Sequence, residues 1–309
     1  MRRWNFLLVS GLVLGAQAVA QSAGAASGPI DQLVSTDNDN QIVVTARSDP
    51  EPKVAEARAQ ARMITDVSNV FGAPLPLFQK PVCPGVSGLP IELAEYIADR
   101  IRYNAEQAGL KLAEAGNCRS NLIVAFVLNG QKALIDYHRK RNDVLVRIPL
   151  FERRELLANG GPVHAFVLSR HMTRDGAPLK VEPDQGYEIL NTQSSNSLFL
   201  LNSRTDIEAS VIVIDIPAID GMSAKQIADY ATMRGLARTR AVSGDATYGT
   251  ILNLFDSDAG HPAELTTFDI AYLKTLYSNA PNLAAAAKLG GVKYQMRKAL
   301  EAAGTGSSE

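Results

Sequence analysis

The chain has 309 residues, and its 31 Lys and Arg nearly balance 32 Asp and Glu, for a net charge of −1. That length suffices for one substantial domain or two small ones. The absence of a basic excess removes the counterion-release drive for nucleic-acid binding.

The first element is a targeting signal. Arg2 and Arg3 form a basic n-region, and residues 6–14 form an apolar stretch too short to span a bilayer. Ala18-Val19-Ala20 offers a small-x-small cleavage site before Gln21. This pattern predicts a secretory signal peptide over 1–20, with Sec export to a periplasmic or secreted location. No cysteine follows the cleavage site, which argues against a lipoprotein. No second long apolar segment occurs, so a soluble mature chain with no transmembrane segment is expected, and cleavage takes the net charge to about −3.

Residues 21–50, rich in Ser, Gly, Ala, Asp and Asn, read as a flexible leader. Within it, Gln41-Ile42-Val43-Val44-Thr45-Ala46-Arg47 resembles the N-terminal energy-coupling box of TonB-dependent outer-membrane receptors. The resemblance implies a partner segment at Ile42, Val43, Val44 and Thr45 for an accessory to TonB-linked uptake. By its residues alone the run is an edge strand or a chance β-branched stretch.

Residues 51–74 are read as an N-terminal helix and connector. Val54, Ala57, Ala61 and Ile64 share one helical stripe. The main domain is expected over 75–303, followed by a tail at 304–309. It opens with a short strand around Cys83, a helix from Ile91 to Ala108 closed by Gly109, and a buried strand from Asn121 to Val127. A helix over 130–141 ends in the basic run Arg139-Lys140-Arg141, read as a solvated face. Strand candidates follow at 144–148, 164–172 and 187–200, with a Ser- and Asn-rich loop at 193–197. A strand over 206–216 precedes helices at 223–237, 266–278 and 292–303. Thr266 to Asp269 has the form of an N-cap with an acid at N3. Phe268, Tyr272 and Tyr277 read as core packing, with one wall of a cleft as the alternative.

In an oxidising compartment Cys83 and Cys118 read as a disulfide joining the starts of two successive strands across one helix. A loop of that length contributes about 3–4 kcal/mol in the chain-entropy treatment. A two-cysteine metal site would need further ligands at short spacing, and none is present.

The order of elements resembles the zincin metallopeptidase fold, and more narrowly an uncharacterised family of secreted bacterial zincin-like proteins. The carrying residues are Cys83-Pro84 with Gly88 and the helix after it, Ser120 to Phe126, Thr250 to Phe255, and Leu265 to Tyr277. The resemblance implies an α+β fold with a zincin-like mixed sheet, a βαβ start and a helical C-terminal part. In zincins the site helix carries His-Glu-x-x-His, with two zinc-holding histidines one turn apart and a glutamate that activates water. Here the helix reads Ala228-Asp229-Tyr230-Ala231-Thr232-Met233-Arg234-Gly235-Leu236. Aligned on Gly235-Leu236, the ligand positions hold Ala228 and Thr232, and the base position holds Asp229. Alanine cannot coordinate, threonine is a poor zinc ligand, and Asp229 would lack a metal-bound water to activate. By its residues alone the helix is a packing helix with Ala224, Ile227, Ala228 and Ala231 as its core stripe.

The four histidines, His138, His164, His171 and His261, do not restore the ligands. His164 and His171 face opposite sides of a regular strand, His138 sits in the charged run, and His261 precedes Pro262. There is no Gly-x-Ser-x-Gly elbow and no Gly-rich phosphate loop. Glu92 and Glu95 are expected to face solvent. The expectation is an exported pseudoenzyme without metal or cofactor, which binds an envelope protein or peptide ligand. The alternative is a hydrolase with an unorthodox site using Asp229.

Overall fold

The computed structural model describes residues 54–66, 73–140, 142–181, 188–190, 197, 199–242, 248–256 and 261–305. The segments expected to be a signal peptide and a leader, including Ile42 to Thr45, and the last four residues lie outside the described residues.

The elements run α1 (Val54–Ile64), β1 (Pro76–Leu77), β2 (Pro84–Ser87), α2 (Ile91–Gln107), β3 (Leu122–Val127), α3 (Gly130–Lys140), α4 (Asn142–Leu145), α5 (Leu150–Ala158), β4 (Val163–Thr173), β5 (Lys180–Val181), β6 (Glu188–Ile189), β7 (Ser203–Asp215), α6 (Ala224–Leu236), α7 (Thr267–Ser278), α8 (Ala285–Gly290) and α9 (Val292–Thr305). The chain is thus α+β, with the expected βαβ start and helical C-terminal part. Two expectations shift. Residues 144–148 form the end of α4 and a turn rather than a strand, and the long strand expected at 187–200 contributes only β6 among the described residues. The β-branched Val144 and Val146 suggested the strand. Val144 and Leu145 instead pack against α3 and the upper sheet face, where local helix satisfies the backbone.

β7 is the centre of a mixed sheet. β3 and β1 pair with it in parallel along one flank, β2 pairs with β3 in parallel, and β4 covers its other flank antiparallel. β4 pairs with no other strand among the described residues. A register shift between Leu168 and Ser169 leaves Glu208 as an extra residue in β7. The shift sets the side-chain parity: Ile207 stays on the face of Ile212 and Ile214, which strict alternation would forbid.

That face carries the main core, filled by α2, α6, α7 and α9. The opposite face packs a smaller cluster with Leu134, Leu145, Ile148 and Leu156. α1 belongs to the main core, with Ala57, Ala61 and Ile64 fully buried against α8 and α9. α2 ends in a Schellman motif: Leu110 N–H donates to Ala105 O, Gly109 N–H donates to Glu106 O, and Gly109 takes φ +91°. Its Glu92 and Glu95 are exposed. The carbonyls at and just beyond the end of α7 are met by the buried Lys288, whose Nζ donates to Leu276, Asn279 and Ala280. Burial pulls that ammonium down to about 8.

Cys83 and Cys118 form a disulfide with Cα atoms 6.2 Å apart, joining the start of β2 to the approach to β3. Such a bond fits an oxidising compartment. Among the described residues no helix is long and apolar enough to cross a membrane.

Candidate cleft along the free edge of the sheet

α6 begins at a capping box, in which Ser223 and Gln226 satisfy each other's backbone N–H groups. It then runs between the sheet, α2 and α7, so it is buried almost all round rather than along one stripe. Of its three motif positions, Asp229 and Thr232 hydrogen-bond to α2, and Asp229 also to the Leu265 turn. Ala228, Asp229 and Thr232 are each fully buried.

Asp229 is saturated by donors. Arg100 Nε and Nη2 donate to its two carboxylate oxygens at 2.7 and 3.0 Å. Asn104 Nδ2 adds a bond of 2.6 Å and the Leu265 backbone N–H one of 2.8 Å. Asn104 also donates to Thr232 Oγ1, whose hydroxyl donates back to the Ala228 carbonyl. The Asp229 carboxylate holds the Arg100 pKa above its ordinary value. Thus Asp229 joins α2, α6 and the approach to α7 as a buried anion, and no histidine is among its hydrogen-bond partners.

Asp269 repeats the device at the next helix. It closes the expected capping box with Thr266, and also accepts from Thr250 Oγ1 at 2.6 Å and Ile251 N–H at 2.9 Å. Burial pushes its carboxyl up to about 6 against the pull of those donors. Phe268 and Tyr272 are buried in the core, and the Tyr272 hydroxyl shares a 2.8 Å hydrogen bond with Thr65. Tyr277 donates to the Leu236 carbonyl.

The histidines are dispersed. His164 is buried on the α3 side of the sheet beside Asp215, whose charge opposes the downward pull of burial on its pKa. His171 and His261 are exposed, and His138 is half-buried on α3. Among the described residues no group of three His, Cys, Asp or Glu is placed to hold a metal ion.

The concave feature lies elsewhere on α6. A cleft of about 700 Å³ opens between β4, α5, the residues after α6, and the 3₁₀ turn Ile251–Asn253 with its sequel. From α6 it is lined by Tyr230 and Arg234, one turn apart. Tyr230 packs edge-on against Phe255, with ring centroids 4.8 Å apart. Burial raises the Tyr230 phenol, and the neighbouring Arg234 guanidinium opposes that rise.

The β4 wall carries backbone as well as side chains. Asp215 N–H donates to the Pro162 carbonyl at 2.9 Å. With Val163 opposite Ile214, Ala165 opposite Ile212 and Val167 opposite Ser210, the N–H and C=O groups of these three β4 residues point away from β7. The Val163 carbonyl is taken by Asn159 Nδ2 at 3.1 Å. The outward groups of Ala165 and Val167 have no hydrogen-bond partner among the described residues, and both residues line the cleft. Across it, Arg238 bridges Glu152 of α5, at 2.8 Å, and Asp66, at 3.3 Å. Burial works against the Arg238 charge, yet these carboxylates hold its pKa above the ordinary value. Arg240 also pairs with Asp66.

Sequence reasoning located the helix but not its working face. Comparison with protein-family models, curated proteins and solved structures finds no match for this chain.

Proposed function

We propose that the protein is an exported, non-catalytic, zincin-like binding module that holds an extended peptide against the free edge of β4. The observation that carries this reading is the unpaired backbone of Ala165 and Val167 on the wall of a cleft whose volume falls in the range of ligand pockets. An extended chain laid there gains main-chain hydrogen bonds by strand addition, while the flanking side chains supply selectivity.

Two observations favour binding over hydrolysis. The Asp229 carboxylate already accepts four hydrogen bonds, and it does not line the cleft. The one-turn pair that does reach the cleft, Tyr230 and Arg234, has the spacing of zinc-binding histidines but the wrong chemistry, because a guanidinium repels a metal cation. The signal-like N-terminus and the disulfide support a periplasmic or secreted location.

The test uses a fluorescent pool of Val- and Thr-rich pentapeptides and the mature protein, read by anisotropy. Saturable binding is expected. Val167→Pro deletes an outward N–H at an edge position, where proline is tolerated. It should abolish binding while leaving the urea midpoint near that of the parent. Equal binding by Val167→Pro would overturn strand addition. A dimer that Val167→Pro dissolves and the pool does not compete with would assign the edge to a second copy instead.

A further inference from the structure

We infer that the occupant of this cleft is the C-terminal end of a peptide, and that Arg234 reads its terminal carboxylate. The inference rests on the strand-addition reading and supplies the chemistry of the ligand.

Charge balance within the cleft comes first. Three arginines line it. Arg238 is neutralised by Glu152 and Asp66, and Arg240 by Asp66. Arg234 pairs with no carboxylate among the described residues. It donates to the Thr239 carbonyl at 2.6 Å, and its Nε is buried without a partner. Glu155 and Asp256 also line the cleft, but neither is paired with Arg234; this half-buried guanidinium has only a neutral acceptor, and a carboxylate is the group its donor geometry fits best.

Tyr230 adds a second donor. It lines the same cleft one turn earlier on α6, and its hydroxyl makes no hydrogen bond to a described residue. A phenol O–H and a guanidinium can serve the two oxygens of one carboxylate.

The shape of the edge selects a chain end over a chain running through. Asn159 has already taken the Val163 carbonyl at one end of the cleft, so the β4 carbonyls left to pair within it are those of Ala165 and Val167. The Glu152–Arg238 ion pair ties the α5 wall to the segment after α6. A short pairing edge beneath tied walls suits the last residues of a peptide.

The experiment compares the same pentapeptide pool in two forms, free C-terminal acid and C-terminal amide, on the native protein. The acid form should bind about ten- to a hundred-fold more tightly, the worth of a charge-assisted hydrogen bond in a sheltered site. Arg234→Gln should bring the acid form down to the level of the amide form on the same variant. Arg234→Lys, which keeps the charge without the fork, should keep part of the preference. Equal binding of acid and amide by the native protein overturns the inference while strand addition stands. An undiminished acid preference in folded Arg234→Gln overturns it as well. If neither form binds the native protein, both readings fall. The acid–amide comparison needs no variant, so a poorly folding substitution leaves the test intact.

Discussion

Asp229→Ala should unfold the protein far more readily without touching the cleft. The substitution removes an anion that accepts four hydrogen bonds. It strands the Arg100 guanidinium, whose side chain is 19% exposed, beside the Asn104 amide and a buried backbone N–H. Removing one partner of a buried ion pair costs about 3–5 kcal/mol. Arg100 keeps some water and a weak contact with Glu264 at 3.4 Å, which lowers that figure. The orphaned Asn104 and Leu265 donors raise it again, at about 1–3 kcal/mol for each buried group left unpaired. A net loss of about 3–5 kcal/mol is expected. With a urea slope of about 3 kcal/mol/M, the upper end for small domains, the midpoint should fall by about 1–1.7 M. The double-mutant cycle with Arg100→Ala isolates the pair: the combined variant should lose less than the sum of the singles by about 2 kcal/mol. Peptide binding by the folded fraction should match the parent. A loss under about 1 kcal/mol, or strict additivity with Arg100→Ala, would show that Asp229 does not brace the fold.

Asp269 makes a pH prediction of opposite sign to ordinary acid denaturation. Its folded-state pKa of about 6 lies above the ordinary carboxyl value, so the folded state binds the proton more tightly. Its contribution is full below about pH 4 and is lost as the pH rises through about 6, amounting to about 3 kcal/mol for a shift of about two units. Subtracting the Asp269→Asn stability profile from that of the parent should therefore give a difference that falls between pH 4 and 7; a flat difference refutes the assignment. The Cys83–Cys118 bond closes a separation of 35 residues, worth about 4 kcal/mol. Replacing both cysteines with alanine should lower the calorimetric midpoint by about 8–16 °C, and a drop of under 3 °C would contradict that. Elemental analysis of purified mature protein should find far less than one zinc per chain. A full equivalent, lost on replacing the histidines, would overturn the non-catalytic reading.

The fold was legible where local chemistry and burial agree. Ala94, Ile97, Ile101 and Ala105 mark the buried stripe of α2, and Gly109 ends it by a route open to few other residues. Thr266 and Asp269 announce the start of α7 through a cap. The two cysteines pair because one strand and one helix carry the chain from the start of β2 back to the approach to β3 beside it. The register shift in β7 was not legible, because Glu208 looks like any exposed strand residue. Only the opposite parities of Ile207 and Ile212 betray it, and they acquire meaning once β4 fixes which face is inside.

The face of α6 was hidden for a related reason. Periodicity reveals a helix's working side when one side meets water, and α6 is surrounded. Ala228, Ala231 and Ile227 then look like a stripe only because polar Asp229 and Thr232 break the pattern, yet both are buried. What sets the rotation is Gly235. A Cβ there would lie 3.0 Å from Leu122 Cδ1 and 3.1 Å from Ile212 Cδ1, so this residue is pressed against the sheet. With that contact fixed, the steps of about 100° per residue carry Asp229 and Thr232 toward α2 and Tyr230 and Arg234 toward β4. The Gly-Leu pair that aligned the motif on Ala228, Asp229 and Thr232 thus serves as a packing contact. The same contact delivers an aromatic hydroxyl and a guanidinium without a carboxylate partner to the cleft beside the unpaired backbone of β4.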